Sequence, residues 1–250
     1  MEVTRLIIDE QSGQAQEGGI MITATETLKG HLTSRPTFLV PVNEFITGVQ
    51  PLRLDRIRDG LFYIPKAYTH ETPAAFALML HGAGGEADHG LHLLKEYADE
   101  KNVILLSPAS RATTWDIIAK DAFNGDVLFI DQALALVFKN FNIDSRHLAI
   151  GGFSDGASYA LSMGLSNGDL FTHIIAFSPG FYHTVENKGK PRIYISHGVR
   201  DHILPIAPCS RRIVPRLKRL NYEIDYNEFQ GEHEIPGHIA TGAVNWFLKP

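Results

Sequence analysis

Short apolar runs alternate with helix-period segments from Asp59 to the end of the chain, and this alternation constrains the fold more than any other feature. The longest helical pattern runs from Val127 to Phe141, where apolar side chains recur on one face of a 3.6-residue period. Strands that alternate with helices predict an α/β fold with a mostly parallel central sheet and helices on both faces. The predicted strands cover residues 60–64, 76–80, 103–106, 148–151, 173–177, 193–195 and 222–228.

The first 58 residues do not follow this pattern. Residues 1–30 are polar and weakly periodic, and residues 20–28 and 38–42 are predicted as short edge strands. A chain of 250 residues fits one domain. We therefore predict a lead-in over residues 1–58 and a single α/β domain over residues 59–250.

The charge balance argues against a nucleic-acid partner. With 23 Lys and Arg against 28 Asp and Glu, the net charge is −5, and no basic field exists to hold a phosphate backbone. A second amphipathic helix is predicted to start at Pro205, a favoured first helical position, and to bury Cys209 as a small core residue. Its cations are expected to form a solvated face, with phosphate or anionic-lipid contact as the alternative. They are Arg211, Arg212, Arg216, Lys218 and Arg219.

The cysteine count and the hydropathy pattern limit the cellular compartments in which the protein is expected. The single cysteine cannot form an intramolecular disulfide. No stretch approaches the roughly 18 apolar residues that a membrane span needs, and the N-terminus lacks the apolar core of a signal peptide. We expect a cytoplasmic protein, although a secreted protein whose signal peptide had been removed would have the same sequence. The sequence does not indicate an oligomeric state.

The segment Gly152-Phe153-Ser154-Asp155-Gly156 lies between the predicted strand 148–151 and a helical run. A G-x-S-x-G motif in this context is typical of a nucleophile elbow, in which a strained turn presents the serine at the carboxyl end of the sheet. Glycines are expected two residues to either side because the strand and helix backbones approach too closely for a Cβ. The motif predicts Ser154 as a nucleophile, and an ordinary glycine-rich turn is the alternative.

A second glycine-rich segment, His81-Gly82-Ala83-Gly84-Gly85, follows the predicted strand 76–80. Small residues there would let a backbone N–H face the carbonyl oxygen of a bound ester. The predicted oxyanion donors are the N–H groups of Asp155 and Ala83, with Gly84 as second choice, and His81 is expected to support the loop. The alternative is a plain glycine-rich exit from the strand.

The candidate acid is Asp201, which lies on a loop after the predicted strand 193–195 and downstream of Ser154. This order suits a triad in which a carboxylate orients a histidine. A turn-forming or helix-capping carboxylate is the alternative for Asp201. Asp155 is too close to the serine along the chain, and Asp116 precedes it.

The candidate base is His233, on the loop after the last predicted strand, 222–228. The chain contains 12 histidines, so a histidine alone carries little weight. Its position after the last strand favours His233 over His202, which adjoins the acid, and over His238, which is predicted to lie inside the closing helix.

Four segments together resemble one family: GGFSDGASYALS, HGAGG, SHGVRDHILPI and GEHEIP. They are similar to the phospholipase/carboxylesterase-type serine esterases of the α/β-hydrolase superfamily, relatives of depolymerase- and feruloyl-esterase-like proteins, over about residues 59–250. The resemblance implies the α/β-hydrolase fold, with Ser154, Asp201 and His233 as the catalytic triad.

The resemblance also implies an oxyanion hole formed by Ala83 and Asp155. It places residues 113–116 in a loop that lines the acyl pocket, so Trp115 is expected to form a wall of that pocket. A packed surface tryptophan is the alternative for this residue.

The expected activity is hydrolysis of small to medium carboxylic esters through an acyl-enzyme intermediate, in the manner of a carboxylesterase or lysophospholipase. No lipase-type lid is expected, because no large helical insertion precedes Asp201. No metal or organic cofactor is expected, since the chain has no H-E-x-x-H motif and no cysteine pair. A thioesterase or peptidase with the same triad is one alternative, and a non-catalytic ligand-binding protein of the same fold is another.

Overall fold

The computed structural model describes residues 23–36 and 44–249. The strands are β1 (Gly48–Pro51), β2 (Gly60–Ile64), β3 (Ala74–Leu80), β4 (Val103–Pro108), β5 (Ile143–Phe153), β6 (His173–Phe177), β7 (Arg192–Gly198) and β8 (Ile224–Phe229). The helices are α1 (Ala24–Leu28), α2 (Ala87–His92), α3 (Lys95–Lys101), α4 (Asp116–Ala119), α5 (Gly125–Asn140), α6 (Asp155–Ser166), α7 (Ser210–Arg219) and α8 (Gly237–Phe247). Within these residues, no helix is long and apolar enough to cross a membrane.

The eight strands form one sheet in the order β1-β2-β4-β3-β5-β6-β7-β8. From β4 to β8 all neighbours are parallel, whereas β2 pairs antiparallel with both β1 and β4. The predicted α/β-hydrolase fold with a mostly parallel sheet is confirmed, and each of the seven predicted strands is present. The sequence prediction missed β1, a four-residue edge strand whose side chains are half-buried or exposed and which ends in proline.

The side chains of each central strand alternate between two apolar clusters, one on either face of the sheet. In β3, for example, Phe76 and Leu78 pack with α5, α6 and α7, whereas Ala77 and Met79 pack with α2, α3 and α8. Because both faces are covered, the strands read as continuous apolar runs. This double burial makes the sheet a rigid support for the loops at its edge.

The N-terminal strand predictions were wrong where the structure can be compared with them. Residues 24–28 form the short helix α1 and not a strand, while residues 20–22 and the predicted strand 38–42 lie outside the described residues. The next segment is held by side chains of the domain and not by strand pairing. The carboxylate of Asp131 accepts the N–H groups of Thr33 and Ser34 at 2.8 and 2.9 Å.

The predicted start of the second amphipathic helix at Pro205 was also wrong. The helix α7 begins at Ser210, and the residue before it, Cys209, has the non-helical angles φ −98° and ψ −108°. Residues 202–209 instead form turns around the carboxylate of Asp201, which accepts backbone N–H groups there. Cys209 is buried, as expected.

Candidate active site

The carboxyl ends of four parallel strands bring the predicted site residues to one edge of the sheet. Ser154 directly follows β5, and the loop 81–85 directly follows β3. Asp201 lies shortly after β7, and His233 lies shortly after β8. In open α/β sheets this edge is where ligands bind, because the loops that leave the strands converge there.

Ser154 adopts the backbone angles φ 58° and ψ −120° between β5 and α6. Such a conformation costs a non-glycine residue about 1–3 kcal/mol and persists only where the surroundings hold it. Here the N–H of Ser154 donates to the carbonyl of Phe177 at 2.9 Å. A Cβ on Gly152 would lie 2.5 Å from the carbonyl carbon of Gly156, and one on Gly156 would lie 2.2 Å from the oxygen of Leu80. The predicted steric need for both glycines is confirmed.

His233 bridges the serine and the aspartate. Its Nδ1 lies 2.6 Å from Oδ2 of Asp201, and its Nε2 lies 2.9 Å from Oγ of Ser154. An ionised carboxylate can only accept, so Nδ1 carries the hydrogen and Nε2 accepts from the Ser154 hydroxyl. The ring of Phe153 packs on the imidazole with centroids 4.6 Å apart. This orientation is the one that lets a histidine take a proton from a serine.

The loop after β7, which carries Asp201, lies close to the loop after β8, which carries His233. The N–H of Val199 donates to the carbonyl of Phe229 at 2.9 Å, and the N–H of Arg200 donates to Gly231 at 2.9 Å. A Cβ on Gly198 would lie 2.1 Å from the carbonyl oxygen of Glu232. Glycine at position 198 therefore allows the loop after β8 to pack onto the end of β7.

The carboxylate of Asp201 is fully paired. Its side chain has no solvent exposure, and its Oδ1 accepts the N–H groups of Ile203 and Leu204 at 2.9 and 2.8 Å. Burial alone would raise the pKa of Asp201, but the hydrogen bonds from His233, Leu204 and Ile203 outweigh burial and hold this pKa below its usual value of 3.8. Asp201 is therefore ionised at neutral pH.

Sequence reasoning missed His197, which lies on the same carboxylate. Its Nε2 is 3.2 Å from Oδ2 of Asp201 and donates to the carbonyl of Leu204 at 2.7 Å, while its Nδ1 is 2.7 Å from Oγ of Ser210. Burial lowers the pKa of His197, so the ring is neutral. Its only signal in the sequence is that a histidine occupies the carboxyl end of an otherwise apolar strand.

The loop 81–85 lies directly beside the serine. A Cβ on Gly82 would be 3.4 Å from the Cβ of Ser154. The buried His81 holds the loop from below: its Nε2 accepts the N–H of Ser110 at 3.0 Å, so its Nδ1 carries the hydrogen and donates to the carbonyl of Gly82 at 2.7 Å. Burial lowers the pKa of His81, which keeps the ring neutral in this arrangement.

The structure distinguishes among the three candidate oxyanion donors, which are the N–H groups of Asp155, Ala83 and Gly84. The N–H of Gly84 donates to the carbonyl of Thr113 at 2.7 Å, so this second choice is already occupied. Within the described part of the chain, the N–H groups of Ala83 and Asp155 have no hydrogen-bond acceptor. The predicted pair of donors is thus left free for a ligand.

Trp115 does not line the cleft, because its side chain is completely buried. Its indole stacks on Tyr159 with centroids 5.0 Å apart, and its Nε1 donates to the carbonyl of His81 at 2.9 Å. The expectation that it forms a pocket wall was wrong, and it is not a surface tryptophan either. Next to it, Thr114 Oγ1 donates to the carboxylate of Asp155 at 2.6 Å. Residues 113–115 therefore tie the loop 81–85 to the turn at the serine.

The buried carboxylates of Asp116 and Asp126 hold the chain directly after residues 113–115. Asp116 accepts the N–H of Asp126 at 3.0 Å and the hydroxyl of Tyr159 at 3.0 Å, and Asp126 accepts the N–H groups of Asp116 and Arg111 at 2.7 and 2.6 Å. Burial and the neighbouring charge of Asp116 raise the pKa of Asp126 to about 6. The partners of Asp116 are therefore Asp126, Asn124 and Tyr159, which makes Asp116 a structural residue.

Comparisons with known proteins identify the family of this chain. The model of a family described as phospholipase/carboxylesterase matches residues 116–248, a shorter stretch than the 59–250 over which the motifs suggested a resemblance. Among curated protein sequences, none matches the chain. Similar solved structures share the fold at low sequence identity, and at this level the likeness shows the fold alone.

Three of these structures illustrate the likeness. Esterase PE8 is 19% identical, with a TM-score of 0.60 over 75% of this chain and 96% of that chain. A carboxylesterase from Bacillus cereus is 19% identical, with a TM-score of 0.56 over 76% and 93% of the two chains. A phospholipase/carboxylesterase from Dyadobacter fermentans is 20% identical, with a TM-score of 0.57 over 83% and 100%.

Proposed function

Since this chain belongs to the phospholipase/carboxylesterase family and is a carboxylic-ester hydrolase, we propose that it cleaves small to medium esters through an acyl-enzyme formed on Ser154. The observation that carries the proposal is the unbroken chain of hydrogen bonds from Ser154 through His233 to Asp201, at 2.9 and 2.6 Å. The serine of that chain sits on a strained turn, beside two backbone N–H groups that have no acceptor among the described residues.

In the first half of the reaction, Ser154 Oγ attacks the carbonyl carbon of the ester while its proton moves to Nε2 of His233. Asp201 stabilises the imidazolium that forms and holds its orientation. The N–H groups of Ala83 and Asp155 stabilise the negative oxygen of the tetrahedral intermediate, and removal of one such donor typically lowers the rate by about 10²–10³. The bond to the alcohol oxygen then breaks, and His233 returns the proton to the departing alcohol.

In the second half, water attacks the acyl carbon and gives a proton to His233. The bond between Ser154 Oγ and the acyl group breaks, the carboxylic acid is released, and the proton returns to the serine. The polar groups used in both halves belong to the protein itself, so this mechanism needs no metal or organic cofactor. We expect activity to persist after dialysis against a chelator.

The connection between β6 and β7 supports the preference for small to medium esters. Residues 178–191, all described, contain no helix that could cover the site as a lipase-type lid. Activation by long emulsified substrates depends on a lid that opens at the lipid–water interface. Without such a lid, we expect no activation at this interface. Rates measured across acyl lengths, in solution and in emulsion, test this part of the proposal.

Covalent labelling tests the central step. A fluorophosphonate should inactivate the protein and add its mass to the peptide that contains Phe153, Ser154 and Asp155. The matched control is Ser158→Ala, which removes a buried serine one turn further along α6 and should leave labelling intact. Ser154→Ala should abolish both labelling and hydrolysis of 4-nitrophenyl acetate. Labelling of another serine while Ser154 stays free would contradict the proposal.

A further inference from the structure

A pocket lies between the loop after β6 and the N-terminal part of α7. Its volume is about 220 Å³, and it is lined by residues 180–182 on one side and by Pro208, Arg212, Ile213 and Arg216 on the other. We call it the arginine pocket.

The arginine pocket is tied to both the nucleophile and the acid. The N–H of Gly180 donates to Oγ of Ser158 at 2.9 Å, and Ser158, on α6, lies four residues after Ser154, about 6 Å along the helix axis. A Cβ on Gly180 would be 3.3 Å from the side chain of Leu204, whose N–H holds the carboxylate of Asp201. The arginine pocket therefore shares Gly180 with the loop that follows the carboxyl end of β6, the sheet edge at which Ser154 and Asp201 also lie, and none of the triad residues is among its lining residues.

The two arginines of the pocket carry positive charge without a matching carboxylate. Neither Arg212 nor Arg216 makes a side-chain hydrogen bond or an ion pair with any residue that the structure describes. Arg216 lies over the ring of Tyr182, 5.4 Å from its centroid. Their neighbour Arg211, in contrast, forms two hydrogen bonds with Glu228 at 2.9 and 2.7 Å.

The position of Arg212 opposes local electrostatics. Arg212 lies in the first turn of α7, which contains no acidic residue, and the positive end of the helix dipole disfavours cations there, whereas Arg216 lies in the last turn, where the dipole favours a cation. Arg212 and Arg216 are also spaced i, i+4, so their charges repel each other on one face. Residues that break local rules in this way are expected at functional sites. An anion in the pocket would relieve both conflicts.

We propose that the arginine pocket binds a carboxylate carried by the ester substrate, an inference that rests on the proposed esterase activity at Ser154. The planar guanidinium fork pairs with a carboxylate through two parallel hydrogen bonds, and a pocket of this size admits such a group. The protein as a whole carries a net charge of −5, so this attraction is local to the pocket. The enzyme would then prefer esters that carry a second, anionic end.

Paired substrates test the proposal. On the acyl side, 4-nitrophenyl hemiglutarate is compared with the neutral 4-nitrophenyl pentanoate. On the alcohol side, 3-acetoxypropanoate is compared with propyl acetate. The wild-type enzyme should show a higher kcat/KM for the charged member of at least one pair, and added salt should reduce this preference because it screens the attraction.

Variants of the arginines should remove the preference. Arg212→Gln and Arg216→Gln should each raise KM for the preferred charged ester by about tenfold, since each removes one charged hydrogen-bond donor. KM for the neutral ester should stay the same. The matched control is Lys218→Gln, which removes a cation from the same helix at a surface shared with Glu223 and Asp225. This variant should leave KM unchanged for both the charged and the neutral ester.

The outcomes separate this inference from the proposed function. If the wild-type enzyme hydrolyses neutral esters in a Ser154-dependent way but prefers neither charged ester, only the arginine pocket assignment is overturned. The same holds if the arginine variants slow the charged and the neutral ester equally. If no ester is hydrolysed at all, the proposed function itself fails.

Discussion

Nε2 of His197 lies 3.2 Å from Oδ2 of Asp201, the carboxylate oxygen that also accepts the hydrogen bond from His233 at 2.6 Å. The imidazole of His197 is completely buried and is held at its other nitrogen by Ser210 at the start of α7. The carboxylate of Asp201 is thus placed between two histidines, one directed toward Ser154 and one toward the core. We infer that His197 is a positioning residue for Asp201.

Replacing His197 should slow the enzyme without removing its chemistry. His197→Leu loses the N–H beside the carboxylate, and we expect kcat to fall by about tenfold, the size of one lost charged hydrogen bond. The potential at His233 becomes more negative in this variant, so the acidic limb of the kcat/KM pH profile should move to higher pH. His197→Gln can return an N–H to the Nε2 position and should recover most of the rate and the profile. A purely structural role would instead lower the melting temperature of both variants and leave the pH profile unmoved.

The assignment of the base can be tested against two neighbouring histidines. His233→Ala should reduce kcat by several orders of magnitude with little change in thermal stability, because triad members act as a unit and the side chain is partly exposed. His202→Ala and His238→Ala serve as matched controls, since both side chains are exposed and His238 lies in α8. Full activity of His233→Ala together with a dead His238→Ala would show that the base has been misplaced.

Trp115→Phe distinguishes a supporting residue from a pocket wall. Phenylalanine keeps an aromatic ring beside Tyr159 but leaves the buried carbonyl of His81 without its donor, at a cost of about 1–3 kcal/mol in unfolding free energy. Since His81 is the first residue of the loop 81–85, which carries the N–H of Ala83, kcat should fall several-fold for every ester. Acetyl, butanoyl and octanoyl esters should be affected in the same proportion. A change in acyl-length preference would instead mean that the indole contacts the substrate.

The buried His173 should make stability fall in mild acid. Burial, and then the charges of Arg192 and His147, lower the pKa of His173 from 6.5 to about 4 in the folded protein. Between pH 6.5 and 4 the unfolded chain therefore binds a proton that the folded protein does not, and stability decreases as the pH falls through this window. Lowering the pH from 7 to 5 should reduce the free energy of unfolding by about 2 kcal/mol through His173 alone.

Urea unfolding of the wild type and of His173→Gln at pH 7 and pH 5 measures this contribution. Asp126 acts in the opposite direction: its pKa is raised to about 6 in the folded state, so its contribution is present at low pH and is lost as the pH rises. Because both proteins contain Asp126, its effect cancels in the comparison. An equal loss of stability in both proteins would show that His173 does not carry the acid sensitivity.

The sequence by itself determined the features that depend on contiguous residues. A buried strand followed by G-x-S-x-G and a helix encodes the elbow at Ser154, since the turn needs glycines within a few positions of the serine. Strands buried on both faces, as β3 is, appear as continuous apolar runs and are found by their composition. The loop positions of Asp201 and His233 follow from the strands before them.

Only the tertiary structure decided the features that depend on which distant segments meet. The N–H of Gly84 is occupied because Thr113 lies against it, and Trp115 is buried because α6 supplies Tyr159 behind it. His197 lies only four residues before Asp201, but its imidazole is fixed there by Ser210 at the start of α7. The partners of Gly84 and Trp115 come from separate parts of the chain, and local residue patterns carry no information about such partners.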